Sequence, residues 1–147
     1  MIPKQLVLKP SDRSGALRVV GTNVTVLLSD ASSKSQQITL QSGDEGTGPP
    51  PHSHPWDESF YVTKGQVQFN CGGETTMCPV GTLVHVPGGT VHAFSYGPGG
   101  GEMLEITGVG SKAIKMFSAL DREVPPGPPD VSKLARVADE YGVTLDL

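Results

Sequence analysis

The sequence is poor in cysteine and has no long apolar run, and each shortage excludes a class of protein. Its 147 residues include two cysteines, which is too few for a disulfide-stapled scaffold. No uninterrupted apolar stretch approaches the roughly 20 residues that a membrane-spanning helix needs. The first residues lack the apolar core and small-residue cleavage site of a secretory signal peptide. We therefore expect a cytoplasmic protein with no membrane partner.

Clusters of basic residues are missing as well. The chain has 11 Lys and Arg residues against 15 Asp and Glu residues, and its formal net charge is −4. This distribution offers no electrostatic surface for a phosphate backbone. We therefore expect no nucleic-acid partner. The length matches one compact domain, so a single domain of residues 1–147 is predicted.

Glycine and proline, by contrast, are abundant, with 19 and 13 residues. They separate short runs of β-branched and aromatic residues, a pattern typical of strands joined by tight turns. No helical pattern interrupts these runs, so the sequence predicts a mainly β, mainly antiparallel sandwich or barrel at about 17–107. The glycine-rich run 97–101 is expected to form a hairpin tip. Strands are predicted at 17–20, 24–28, 37–40, 59–63, 67–71, 74–77, 83–86, 91–96 and 102–107.

A two-residue turn at Gly72 and Gly73 would fix the register of one hairpin. Cys71 would then pair with Glu74, and Cys78 would lie opposite Val67. The two thiols would be several residues apart along the ladder, so no disulfide between them is expected.

The hydrophobic spacing changes to a helical period after Gly110. Ala113, Phe117 and Leu120 fall on one face of a short helix, and Asp130 is a candidate N-cap for a second helix that ends at Gly142. The sequence thus predicts a helical extension at about 111–142. We expect its apolar stripe to pack on the outside of the barrel, or else to bind a partner.

Three histidines and one glutamate are candidate metal ligands. His52 and His54 are spaced to lie on the same face of a strand. Glu58 returns to that face if the intervening segment bulges or turns, and His92 follows a Pro-Gly-Gly turn on another strand. Imidazole and carboxylate ligands suit divalent Fe, Mn, Ni, Co, Cu or Zn. The sequence therefore predicts one divalent transition metal, with one or two positions open for water or substrate.

The glycines and prolines around these ligands form two blocks of fixed spacing. The pattern is Gly46-x5-His52-x-His54-x3-Glu58-x6-Gly65 and, 15 residues later, Gly81-x5-Pro87-x-Gly89-x2-His92. Both blocks resemble the two motifs of the cupin superfamily, and the chain as a whole resembles small single-domain, quercetin-dioxygenase-like cupins (monocupins with the type 2 conserved barrel). The resemblance implies an antiparallel double-stranded β-helix, or jelly-roll barrel, with one or two short C-terminal helices. It also implies that Glu58 is both a metal ligand and a catalytic proton acceptor.

Aromatic side chains near the ligands are candidate pocket residues. Phe60 and Phe94 each lie two residues beyond a ligand and would share its side of the strand. Trp56 lies between His54 and Glu58, where it would either wall the pocket mouth or have a packing or surface role.

Three functions fit these features. The first is a metal-dependent oxidoreductase, dioxygenase-like, that acts on a small organic molecule. The second is a non-redox cyclase or isomerase of polyketide-like or sugar-like compounds, and the third is a non-catalytic metal- or metabolite-binding protein. An unclosed barrel leaves strand edges, and residues 4–8 could pair with a neighbouring subunit, so a homodimer is predicted.

Overall fold

A computed structural model describes residues 3–147, and two long strands organise it. Strand β5 (Glu58–Cys71) and strand β8 (His92–Gly108) pair with each other and with most of the remaining strands, always antiparallel. The shorter strands are β1 (Leu17–Val19), β2 (Thr22–Leu28), β3 (Gln36–Gly43), β4 (His52–Ser53), β6 (Glu74–Pro79), β7 (Leu83–Val86) and β9 (Thr144–Leu145). A 3-10 turn occupies Pro10–Asp12.

The strands form one curled sheet in the order β1-β2-β3-β8-β4-β9, with β5 pairing to β6, β7 and β8 outside that path. Strand β8 pairs with β3 through its second half and with β5 over most of its length, so it lies between them in the curled sheet. The predicted antiparallel β-barrel with short C-terminal helices is therefore confirmed.

The expected hairpin tip at 97–101 is wrong, because these glycines lie inside β8. Gly101 pairs with Gly65 of β5 on one side and with Gly43 of β3 on the other. Gly65 has φ +64°, and a Cβ placed there would collide with the carbonyl oxygen of Gly100. The run thus lets three backbones approach closely where β5 bends, which the register shifts on either side of Gly65 also mark. Because β5 bends near Gly65 without ending there, the two strands predicted at 59–63 and 67–71 are one strand.

The β5–β6 hairpin has the register expected from its two-glycine turn. Cys71 pairs with Glu74 and Val67 with Cys78. Both cysteine thiols are free.

Two apolar clusters fill the structure. One lies inside the barrel and is built around Phe60, Phe69, Phe94, Tyr96 and Met103. The other lies between one end of the barrel and the two helices, α1 (Ala113–Glu123) and α2 (Val131–Glu140).

The helices begin and end close to the predicted positions. Asp130 caps α2 by accepting a hydrogen bond from the Lys133 N–H, and Gly142 takes φ +80° just after its end. Within residues 3–147, no helix is both long enough and apolar enough to cross a membrane. Residues 4–8 lie outside the sheet, with Leu6 and Val7 exposed. The homodimer stays a prediction.

We expect Gly65→Ala to destabilise the fold by roughly 3 kcal/mol, because it adds a backbone clash to the cost of a positive φ. Gly99→Ala is the matched control, since Gly99 has φ +81° but nothing within 4 Å of the added Cβ. The free energy of unfolding of that control should fall by only about 1 kcal/mol. Urea denaturation measures both, and equal losses would contradict a close approach at Gly65.

Candidate metal centre

Four strand ends bring the predicted ligands together. His52 begins β4, His54 follows its end, Glu58 begins β5 and His92 begins β8. His52 and His92 are directly paired across the β4–β8 ladder. The ligand atoms of the three histidines all lie within 4.8 Å of one another. These three histidines could hold a metal ion.

Backbone carbonyls fix the tautomer of each imidazole. His52 Nδ1 lies 2.9 Å from the oxygen of Pro50, His54 Nδ1 2.9 Å from that of Trp56, and His92 Nδ1 2.8 Å from that of Thr90. A carbonyl oxygen can only accept a hydrogen bond, so each Nδ1 carries a proton. In the neutral rings the lone pair is then on Nε2, as is typical of metal-ligating histidines.

The carboxylate of Glu58 completes a set of acceptors. Its Oε2 lies 3.1 Å from Nε2 of His54 and 3.0 Å from Nε2 of His92, and all three side chains are buried. Lone pairs that converge in a buried site repel one another unless a proton or a metal cation lies between them. Two ligands at right angles around one ion, each about 2.1 Å away, would be about 3.0 Å apart. The donor set and its spacing therefore fit a divalent metal. The assignment of the four residues as ligands stays a prediction.

Charge and burial set the protonation of the histidines in the metal-free chain. Burial, followed by the charge of His92, lowers the pKa of His52 to about 4. Burial alone would lower the pKa of His92 too, but its hydrogen bond with Glu58 and the charge of that carboxylate outweigh burial and raise it. A proton on His92 thus holds the place that a metal would take.

Glu105, which the sequence analysis did not single out, is the buried partner of Glu58. Burial and the adjacent charge of Glu58 raise the pKa of Glu105 well above its usual range. Burial would also raise the pKa of Glu58, but hydrogen bonding with Glu105, His54 and His92 outweighs burial and holds the pKa well below its usual range. Glu105 therefore keeps the proton and donates it in a hydrogen bond to Glu58, while Thr39 Oγ1 donates to Glu105 Oε1 at 3.0 Å.

A cavity of about 70 Å³ adjoins the cluster, and its lining is largely apolar. His52, His54 and Glu58 line it, as do the predicted pocket residues Phe60 and Phe94. Trp56 is not among the lining residues. Its indole ring stacks on His54, with ring centroids 4.5 Å apart and an angle of 9° between the planes.

The C-terminal segment also contributes to the site, which the sequence analysis missed. β9 pairs with β4, so that Leu145 lies beside His52 and Thr144 beside Ser53. The face of α1 that carries Ala113, Met116, Phe117 and Leu120 lines the cavity. The apolar stripe of α2 packs with Val19 and Val24 of the barrel strands, so the helices lie against the outside of the barrel and cover the cavity end.

Comparison with known proteins agrees with this architecture. Residues 38–107 match a family model described as the cupin domain. A polyketide cyclase from Streptomyces resistomycificus, RemF, has a similar structure, with a TM-score of 0.64 and 21% identity over 71% of this chain and 80% of that one. An RmlC-like cupin from Shewanella frigidimarina gives a TM-score of 0.62 and 17% identity over 73% of this chain and 94% of the other. Residues 38–107 therefore match the cupin domain, and the fold of the chain is that of the cupin barrels it resembles.

A curated relative adds no activity. An uncharacterized protein from Streptomyces coelicolor is 32% identical over 63 residues, which cover 43% of this chain. The match spans 60% of the length of that relative.

We expect His92→Ala to weaken metal binding roughly 100-fold or more, because it removes one ligand from the centre of the cluster. His85→Ala is the matched control, since His85 lies outside the cluster, with Nδ1 2.7 Å from Ser59 Oγ. Chelator competition with Zn²⁺ or Ni²⁺ measures both affinities. Equal affinities in the two variants would contradict the site.

His52 should make the metal-free protein less stable as pH is lowered from about 6.5 to 4. Because the folded pKa of His52 is about 4, the unfolded chain takes up a proton in this window that the folded chain does not. His52→Gln should make the slope of unfolding free energy against pH shallower by up to about 1.4 kcal/mol per pH unit. Denaturation at stepped pH with a chelator present measures it, and an unchanged slope would refute the buried neutral imidazole.

Proposed function

We propose that this protein is a divalent-metal-dependent enzyme that acts on a small organic molecule, with dioxygenase-like oxidoreductase chemistry. The observation that carries the proposal is a cluster of three imidazoles, two of them within 3.1 Å of the buried carboxylate of Glu58, at one side of a largely apolar cavity. A structural metal site needs no cavity, whereas a catalytic one needs room for a substrate beside the ion.

His52, His54, His92 and Glu58 would hold the metal. When bound, it supplies a Lewis acid that lowers the pKa of a substrate hydroxyl. The backbone carbonyls behind each imidazole keep the rings oriented, so binding costs little reorganisation.

Glu58 is the proton acceptor in this proposal. It stays ionised although it is buried, because Glu105 hydrogen-bonds to it, and a bound cation would stabilise its charge further. A substrate hydroxyl next to Glu58 can therefore give its proton to the carboxylate. The hydrogen bond from Glu105 limits how basic Glu58 becomes, and Thr39 holds Glu105 in position.

The apolar lining favours oxygenation as the step that follows. Phe60 and Phe94 are part of a largely apolar lining. A site with little water protects an electron-rich deprotonated substrate from reprotonation by solvent. Dioxygen is apolar and enters such a cavity readily. In a dioxygenase reaction the substrate is oxidised and both oxygen atoms end in the product.

A non-redox cyclase or isomerase is the second candidate, and the Glu58–Glu105 pair favours it. One carboxyl group that accepts a proton beside another that donates one is sufficient for proton transfer between two substrate atoms. One protein of similar fold is a polyketide cyclase. Dioxygen consumption separates the two candidates.

We expect the metal-loaded protein to consume dioxygen with one or more compounds of a phenol and enediol panel. Glu58→Gln should lower that turnover 100-fold or more, because it removes the proton acceptor. Glu102→Gln is the control on the neighbouring strand β8, since Glu102 pairs with Lys64 at 3.7 Å and does not line the cavity. An oxygen electrode and product mass spectrometry measure both. Product without oxygen uptake would favour the cyclase or isomerase, and no product from a metal-loaded protein would refute the dioxygenase proposal for this panel.

A further inference from the structure

One face of α1 forms a wall of the cavity that adjoins the metal cluster. Ala113, Met116, Phe117 and Leu120 recur at helical spacing, are all buried and all line the cavity. The ligand cluster lines the same cavity through His52, His54 and Glu58. A molecule bound at the metal therefore has α1 as part of its surroundings.

The cavity lining has a small polar part, contributed by barrel strands, and a larger apolar part, which includes the helices. Gln41, Thr22 and Glu105 contribute amide, hydroxyl and carboxyl groups to its lining, whereas α1, α2, Val19 and Val24 contribute apolar side chains. A ligand that fits both parts has oxygen atoms at one end and a hydrocarbon tail at the other.

The volume limits the length of that tail. About 70 Å³ holds on the order of five water molecules, so a metal-binding head group leaves space for a very short tail. Met116 is the flexible member of the α1 face, since its unbranched thioether changes rotamer more readily than Phe or Leu side chains.

We propose that the substrate is a short-chain compound with two adjacent oxygen donors, and that Met116 sets the permitted length of its apolar tail. This inference rests on the proposed function, because the oxygen donors need the metal. Four protein ligands leave two positions of an octahedral ion for them. Met116 is a specificity-determining residue in this account, since it touches the tail and not the reacting atoms.

Aliphatic hydroxamates of increasing chain length test the proposal, because they chelate metals through two oxygens and differ only in the tail. The wild-type protein, loaded with Zn²⁺, should bind acetohydroxamate and lose affinity for hexanohydroxamate and longer chains. Met116→Ala removes a three-atom side-chain end and should move this limit to longer chains. Each additional buried methylene tightens binding about fourfold. Hexanohydroxamate should therefore bind to the Met116→Ala variant at least tenfold more tightly than to the wild type, whereas the affinity for acetohydroxamate should not change.

Met77→Ala is the matched control, since Met77 is 42% exposed on β6 and does not line the cavity. Met116→Val, a smaller change, keeps the test decisive if Met116→Ala does not fold, and it should shift the limit in the same direction. A chain-length profile that is unchanged in a folded, fully metal-loaded Met116 variant would overturn the inference. Failure of the wild-type chain to bind Zn²⁺ would instead refute the proposed function, so metal content is measured first.

Discussion

Three imidazoles that give their Nδ1 protons to backbone carbonyls are the constraint on which this structure depends. Each ring then has only the Nε2 lone pair left, and the rings of His54 and His92 turn it toward the buried carboxylate of Glu58. Hydrogen-bond acceptors that face one another in a buried site are unfavourable unless a proton or a metal cation lies between them. The site therefore needs a cation, and the barrel provides the rigidity that keeps the acceptors from moving apart.

The fold supplies that rigidity through β8 and β5. His92 begins β8 and Glu58 begins β5, and the two strands share the longest ladder of the molecule. His52 is held between β8 and the C-terminal β9, so the metal centre is tied to the last residues of the chain. A substitution in β9 or at the end of α2 thus acts close to a ligand although it lies about 90 residues away in sequence.

The fold also determines the charge of Glu58 and the polarity of its surroundings. The inner face of β3 and the second half of β8 carry buried polar residues, among them Thr39 and Glu105. Thr39 donates to Glu105, and the hydrogen bond between Glu105 and Glu58 helps to keep charged a carboxylate that burial would neutralise. Opposite this polar side, Phe60, Phe94 and the α1 face keep the cavity apolar. A charged acceptor beside a dry cavity is the arrangement that proton transfer from an organic substrate requires.

The sequence by itself determined what is local. Strand and helix positions, the Cys71–Glu74 register, the caps of α2 and the candidate ligands all follow from alternation, turn residues or fixed spacing over short stretches. Tertiary structure decided the rest. The glycines at 97–101 suit a turn as well as a strand, and only the close approach of Gly65 and Gly43 makes them part of β8. Glu105 has no motif, because its role comes from a neighbour 47 positions away, and the α1 face is an ordinary apolar stripe until packing places it over the cavity. Local patterns record backbone preferences, whereas the pairing of distant groups depends on which strands the barrel brings side by side.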